Sequence, residues 1–333
     1  MQDTDKAASW ATSANGRQSG VHEAPHNTVD THQPVVLAVD PAPAQPGSTR
    51  QESGVIGLAH GTSDAIIMPN WYQKPIVEGI VRASVELKRD LICFNGHIST
   101  EVDASVAAYK SRCDGLMHFD YELMPYVQSA MMEVGLPLVV LGGAGPLPGA
   151  AYVDIDNIAA ARDVTAYLIR LGHRRIAMML NDDNGVSDRR EVGFRQAHEQ
   201  AGIDVDESQL LPGSYSTASG AERMHRILDR PRAQWPTGIV CFNDEVAIGA
   251  MRTAIEMGIL VPDEMSFAGI DDLIEARLSR PGLTTIRQPL RDIGEKAVSL
   301  LLDIINGVKP RDTALLVPHE LVVRGSTGPP RRW

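Results

Sequence analysis

From residue 54 onward, apolar positions along the chain fall into short continuous runs alternating with helical stripes. GVIGLA (54–59) is unbroken apolar sequence, as expected of a strand covered on both faces. Pro75 then sits near a first helical turn, and Ile76, Ile80, Ala83 and Leu87 form a stripe that predicts a helix. LICF (91–94) predicts the next strand. Thr100 and Asp103 have capping-box spacing ahead of a helix through Val106 and Tyr109. GLMHF (115–119), a helix around 127–133 and PLVVL (137–141) complete a first half.

A second half repeats the alternation. Asp156 is placed to cap a helix with a stripe at Ile158, Ala161, Val164, Leu168 and Leu171, and Gly172 stops it. RIAMML (175–180) predicts a strand, 188–201 a helix ending at Gly202, and 218–228 another helix leading into GIVCF (238–242). Either Asn243 or Asp244 caps a helix over 245–257. Apolar segments 265–270 and 283–286, a helix over 291–306 and a final strand, ALLVPHELVV, follow. Strands and helices alternating in two blocks predict an α/β protein with two doubly wound parallel-sheet lobes.

Residues 1–53 break this pattern. They are rich in Ser, Thr, Gln, Ala and Pro, with three basic residues (Lys6, Arg17, Arg50) against six acidic ones. Their one apolar cluster, VVLAV (35–39), is too short to offset the ordering entropy of a domain. The segment reads as mostly disordered, with a short strand at VVLAV docking on the body as the alternative.

Composition adds bounds. A chain of 333 residues with 43% apolar content is long enough for about two cores. A net charge of −11 argues against a surface broadly suited to polyanions, so any nucleic-acid contact needs a local basic module. Cys93, Cys113 and Cys241 lie in or beside apolar runs without CxxC spacing and read as buried thiols in a reducing compartment. With no membrane-length apolar run and no signal-peptide pattern at the start, a cytoplasmic location is expected.

Ligands in open α/β sheets bind beyond the carboxyl ends of the strands. The first polar residues at those ends are His60, Asn95, Asp120, Asn181, Asn243 and Asp271, with Arg190 on a nearby helix. Any one of them alone is more often a cap or turn residue, but their recurrence points to a cleft for a polar, uncharged ligand. Asp272, beside Asp271, reads as a cap or turn residue. Catalytic patterns are lacking: there is no HExxH, GxSxG or P-loop, and the ten histidines have no metal-ligand spacing. GGAGPLPG (142–149) reads as a loop. The chain is therefore expected to be neither an enzyme nor dependent on a cofactor or metal.

LGHRRIA (171–177), CFNDEVAIGAMRTAIEMGILVPDEMSFAGIDD (241–272), PGLTTIRQPLRDIGEKA (281–297) and ELVVRGS (320–326) resemble the LacI/GalR transcriptional regulators in colinear order. The resemblance covers 54–326 and implies the type I periplasmic-binding-protein fold, two α/β lobes joined by three crossovers with a small effector between them. It implies a first lobe of 54–153 plus 285–313, a second of 154–284 plus 314–326, and a tail of 327–333. It also implies effector contacts at Asp271, Asn243, Arg190, Tyr215, Tyr72 and Gln73, with Asp120 added from the strand-end reading. Acid and amide acceptors with an arginine fork would fix vicinal hydroxyls, and an aromatic would cover a sugar face.

Two positions depart from the family pattern: Gly142 stands where an Asp is usual, and Trp71 where a Pro is usual. The family's helix-turn-helix and hinge helix are not recognisable in residues 1–53. The resemblance implies a homodimer, with 76–87 and 124–134 as candidate faces, and operator DNA as a partner. The acidic N-terminal segment favours an alternative, a cytoplasmic sugar-binding sensor without DNA contact. A sugar-modifying enzyme is a more distant third.

Overall fold

The computed structural model describes residues 35–36, 53–60, 72–94, 102–119, 125–143, 145, 150–182, 185–308 and 314–331. Apart from Val35 and Val36, residues 1–52, on which the expectation of disorder falls, lie outside the described residues. The elements in chain order begin with β1 (Val35–Val36), β2 (Val55–His60), α1 (Gln73–Glu86), β3 (Asp90–Phe94) and α2 (Val102–Arg112). Then come β4 (Gly115–Phe119), α3 (Pro125–Glu133), β5 (Leu138–Leu141) and β6 (Ala151–Asp154). The chain crosses over into α4 (Asn157–Leu171), β7 (Ile176–Met179), α5 (Gly185–Gln200), β8 (Leu210–Leu211) and α6 (Thr217–Leu228). β9 (Gly238–Cys241), α7 (Asp244–Glu256), β10 (Ser266–Asp271), α8 (Ile274–Leu278) and β11 (Thr284–Arg287) follow, then α9 (Leu290–Ile305), β12 (Ala314–Leu316) and β13 (Glu320–Val322).

Among the described residues the strands form two sheets, ordered β1-β3-β2-β4-β5-β6-β12 and β13-β11-β10-β9-β7-β8. Pairing is parallel except at the two edges, where β1 runs antiparallel to β3 and β13 antiparallel to β11. β4, β5, β7, β9 and β10 are buried along their whole length, which is why they read as unbroken apolar runs. Val35 and Val36, the first two residues of VVLAV, pair with Cys93 and Ile92, while 37–39 lie outside the described residues.

Local signals fix the helices as the pattern suggests. Asp156 caps α4, its Oδ1 accepting from the amides of Ile158 and Ala159 at 3.0 Å, and Gly172 closes it at φ +106°. Asn243, not Asp244, caps α7, accepting from the Val246 amide at 2.9 Å. On α1 the stripe Ile76, Ile80 and Ala83 is buried with Gly79, but Leu87 is the exposed C-terminal cap. α1 packs on α9 through reciprocal glycines. A Cβ on Gly79 would lie 2.1 Å from the Arg291 carbonyl oxygen, and one on Gly294 would lie 2.1 Å from that of Ile76.

The lobe boundaries differ from those expected. β11 was placed almost wholly in the first lobe, yet it pairs in parallel with β10, aligning Asp271 with Arg287. β12 was assigned to the second lobe, yet it pairs with β6. The crossovers thus follow Arg287 and Leu316 rather than 284 and 313. Composition cannot say which sheet a crossing strand joins, because both offer an apolar edge. The expected final strand is also two strands, broken between Leu316 and Glu320 at a stretch that includes Pro318, a residue with no amide to donate to a ladder. Thr327 and Gly328, expected in the tail, belong to the second lobe. The Thr327 hydroxyl bonds that of Thr284 at 2.8 Å, and the Gly328 carbonyl accepts from Ser266 Oγ at 3.2 Å.

Candidate functional site

The carboxyl ends of β10 and β11 each carry a buried polar side chain. Asp271 closes β10 and is buried; Gln288 follows β11 directly and is also buried. Gln288 Nε2 donates to Asp271 Oδ1 at 2.7 Å, whereas Gln288 Oε1 is buried with no hydrogen-bond partner among the described residues. Asp271 and Asp272 both have left-handed backbone, φ +133° and +58°, an unusual pair for non-glycine residues. The reversal sends the two carboxylates apart. Asp272 accepts from Arg287 Nε at 2.7 Å and from Arg324, which makes it the structural residue expected.

Asp271 is held well above the ordinary carboxylate range, chiefly by burial, with the Arg190 cation opposing and the Asp244 carboxylate adding to the rise. Asp244 points inward. It accepts from the Leu273 amide at 2.8 Å and the Thr285 hydroxyl at 2.5 Å, and burial pushes it up to about 7.

Arg190 on α5 is buried and engaged within the protein: Nε donates to Asn157 Oδ1 at 3.0 Å and Nη1 to the Phe242 carbonyl. Its guanidinium also lies 4.7 Å from the centre of the Phe242 ring. Asn157 Nδ2 in turn donates to Asp154 Oδ2 at 2.8 Å, which also accepts from the Tyr152 hydroxyl at 2.7 Å. This chain of bonds runs from β6, the last strand before the first crossover, to the arginine beside Asp271.

Asn243 combines its cap with a second bond, Nδ2 donating to the Tyr215 carbonyl at 3.2 Å. The Tyr215 residue is 56% exposed, so it stands open to solvent instead of packing on its neighbours. Tyr72 and Gln73 lie at the start of α1, the first half-buried and the second buried. Gly142 has φ +70°, and the Tyr72 hydroxyl would be 3.4 Å from a Cβ placed there. Asp120, Asn95 and Trp71 lie outside the described residues, as does the side chain of His60.

A cavity of about 480 Å³ adjoins Asp271 and Gln288; Arg190, Asn243, Tyr215, Tyr72 and Gln73 are not among its lining residues. Lys74 and Pro75 of α1 and Leu290 of α9 line it from the first lobe, and Asp271, Glu275 and Gln288 from the second. Glu275 Oε2 is a further buried oxygen without a partner among the described residues. Asp271 and Arg190 are thus brought together, and Asn243 is joined to Tyr215. Gln288 was missed in the sequence, although the strand-end rule applied after TTIR would have selected it. Among the described residues no group of His, Cys, Asp and Glu is arranged to hold a metal ion. No described helix is long and apolar enough to cross a membrane.

Residues 165–327 match the model of the periplasmic binding protein-like domain family. The chain is 34% identical over 205 residues to the HTH-type transcriptional regulator DegA of Bacillus subtilis (strain 168), covering 60% of each chain. Over 279 residues it is 32% identical to the HTH-type transcriptional repressor PurR of Shigella sonnei (strain Ss046), covering 81% of this chain and 79% of that one. Among solved structures, the complex of the transcriptional regulator CelR with cellobiose superimposes with a TM-score of 0.73 at 26% identity, covering 83% of this chain and 85% of that one. The chain thus spans somewhat under two thirds of DegA and more of PurR. With the two-lobed fold and its junction, these likenesses establish that the chain belongs to the LacI/GalR family of transcriptional regulators.

Proposed function

We propose that this protein regulates transcription by closing its two lobes on a small, uncharged, donor-rich effector, a sugar or sugar derivative, and passing that closure to operator DNA. The observation that carries the ligand half is the buried Gln288 Oε1, unpartnered among the described residues, beside Asp271 on a cavity between lobes. An orphaned buried acceptor is costly, and a ligand hydroxyl or amine would satisfy it. Asp271, Gln288 and Glu275 all offer acceptors there, while Arg190 already donates to Asn157 and Phe242. Lys74, Arg277, Arg287 and Arg291 also line the cavity, so the case for hydroxyls rests on the orphaned Gln288 oxygen, which needs a donor. CelR's complex with cellobiose is consistent with this class.

Asp271, Gln288 and Arg190 are assigned to the ligand's polar edge, Tyr215 and Tyr72 to its faces, and Gln73 and Asn243 to support. Asp120 is assigned to the first-lobe side on the strand-end argument alone. The protein acts as a homodimer without catalysis, and α1, with Val81 and Val85 exposed, is one dimer face.

The test is a thermal-shift screen of sugars with wild type and Asp271→Asn. A ligand at a hundred times its dissociation constant should stabilise the wild type by about 2.7 kcal/mol. A panel of pentoses, hexoses and disaccharides without effect would reject the ligand half. For the DNA half, salt-dependent binding to the promoter fragment of its own gene is expected, altered by the sugar; no binding at low salt would leave a sensor without DNA contact.

A further inference from the structure

Among the described residues Arg223 on α6 is the largest fully buried side chain, 1% exposed, and it has no carboxylate partner there. Its bonds run to main-chain carbonyls. Nε donates to Ser219 at 3.1 Å, Nη1 to Leu180 at 2.5 Å and Leu211 at 3.1 Å, and Nη2 to Ser214 at 2.6 Å. Burial lowers its pKa from the ordinary value. Taking a cation out of water costs several kcal/mol, and only good geometry to several acceptors offsets it.

Besides Ser219 on its own helix, the acceptors lie at three places along the chain. Leu180 lies just past β7, Leu211 ends β8, and Ser214 sits in the loop that enters α6. Where two parallel strands stop, their last carbonyls lose ladder partners. The backbone satisfies part of this, with the Leu180 amide donating to Leu211 at 3.0 Å and the Asp182 amide to Gly213 at 2.8 Å. Arg223 supplies the rest. The loop is tightened further by Ser219 Oγ, which accepts from the Ser214 amide at 3.0 Å, and by the Ser216 cap on Ser219 at 3.2 Å. A Cβ on Gly213 would lie 2.8 Å from Ser219 Oγ and 3.1 Å from Arg223 Nε, so the loop wraps the guanidinium closely.

The same loop carries Tyr215, whose carbonyl accepts from Asn243. We propose that Arg223 is a positioning residue of the effector cleft: its guanidinium fixes the 212–216 loop, and through it the placement of Tyr215 and the side-chain amide of Asn243. This rests on the cleft reading above for its functional consequence, but the positional claim is separable from it. Arg223 touches no ligand position itself.

Full-length Arg223→Met and Arg223→Lys proteins test the idea by three readouts. Amide hydrogen exchange at 212–216 should quicken at least tenfold in Arg223→Met while α9 keeps its protection. The Asn243 side-chain amide resonance should shift in Arg223→Met and return toward its wild-type position in Arg223→Lys, which restores a cation with three donors. Where wild type binds cellobiose or ribose, Arg223→Met should weaken that binding at least tenfold, with Arg223→Lys between. A folded Arg223→Met with wild-type loop exchange and an unshifted Asn243 resonance would overturn the proposal. So would unchanged sugar affinity. If neither sugar binds wild type, that counts against the sugar reading, and exchange and resonance decide Arg223 alone. Should Arg223→Met fail to fold, Arg223→Lys decides: exchange at 212–216 at least threefold faster than in wild type supports the role, and identical exchange rejects it.

Discussion

Gln288 gives its amide hydrogen to Asp271 across 2.7 Å while its own carbonyl oxygen, buried alongside, receives none from the described residues. The pair is half a hydrogen-bond network. Gln288→Leu removes the orphan and the bond to Asp271 together, so the two effects oppose each other in the empty protein. Its unfolding free energy should change by only about 1 kcal/mol, whereas sugar affinity should fall at least about tenfold, roughly 1.4 kcal/mol. Urea titration and calorimetry of the sugar found by thermal shift check the two numbers. A loss of stability as large as the loss of affinity would make Gln288 a packing residue.

Asp244, with a folded value of about 7, holds a proton that the unfolded chain has already released above the ordinary carboxylate range. Folded protein therefore binds more protons than unfolded between roughly pH 4 and 7. Its contribution to stability is full below that window and is lost as pH rises through it. Asp271, raised for the same main reason, acts with the same sign. Wild type should lose on the order of 1–3 kcal/mol between pH 5 and pH 8, and Asp244→Asn should lose distinctly less. Urea midpoints at unit pH intervals measure this, and parallel wild-type and variant curves would show that Asp244 does not titrate there.

Asn243 does two things that substitution can separate. Asn243→Ala removes the cap on Val246 and the bond to Tyr215, and should cost about 1 kcal/mol of stability or somewhat more. Asn243→Asp keeps an oxygen for the cap but has no Nδ2 for the Tyr215 carbonyl. It should remain more stable than the alanine variant at pH 7 yet bind sugar as poorly. Equal melting of the two variants would remove the cap from the explanation.

Gly294→Ala places a methyl group 2.1 Å from the Ile76 carbonyl oxygen, where backbone and not a flexible side chain must yield. Overpacking of this kind costs about 1–3 kcal/mol. The same change at Gly258, whose added Cβ meets nothing within 4 Å, probes φ +84° alone. Denaturant titration should rank Gly294→Ala as the more damaging substitution.

Much of the architecture was legible because parallel strands buried on both faces leave unbroken apolar runs, as LVVL and GIVC do. Helix ends were legible where a single side chain decides them, as at Asp156 and Gly172. The choice between Asn243 and Asp244 was not, because both can cap; only the packed interior shows Asp244 turned toward Thr285 and Leu273. The sheet that β11 or β12 joins depends on long-range pairing. Asp271 and Arg190 could be picked out by position, but the internal bonds of Arg190 to Asn157 and Phe242 could not. Arg223 gave no sign at all: on an amphipathic helix an arginine ordinarily reads as a solvated face, and the carbonyls that hold it come from three separate segments.

The interlocked glycines of α1 and α9 set a schedule on the ribosome. Glu78 and Arg291, paired across that contact, are 213 positions apart, so the groove on α1 has no occupant until synthesis is nearly finished. The stretch from α4 to β11, by contrast, is continuous and can gather all but the β13 edge of its sheet as it emerges. A nascent chain stopped before α9 would therefore carry a nearly complete second lobe tethered to a first lobe still showing Ile76, Ile80 and Ala83 to water, the substrate a chaperone would meet.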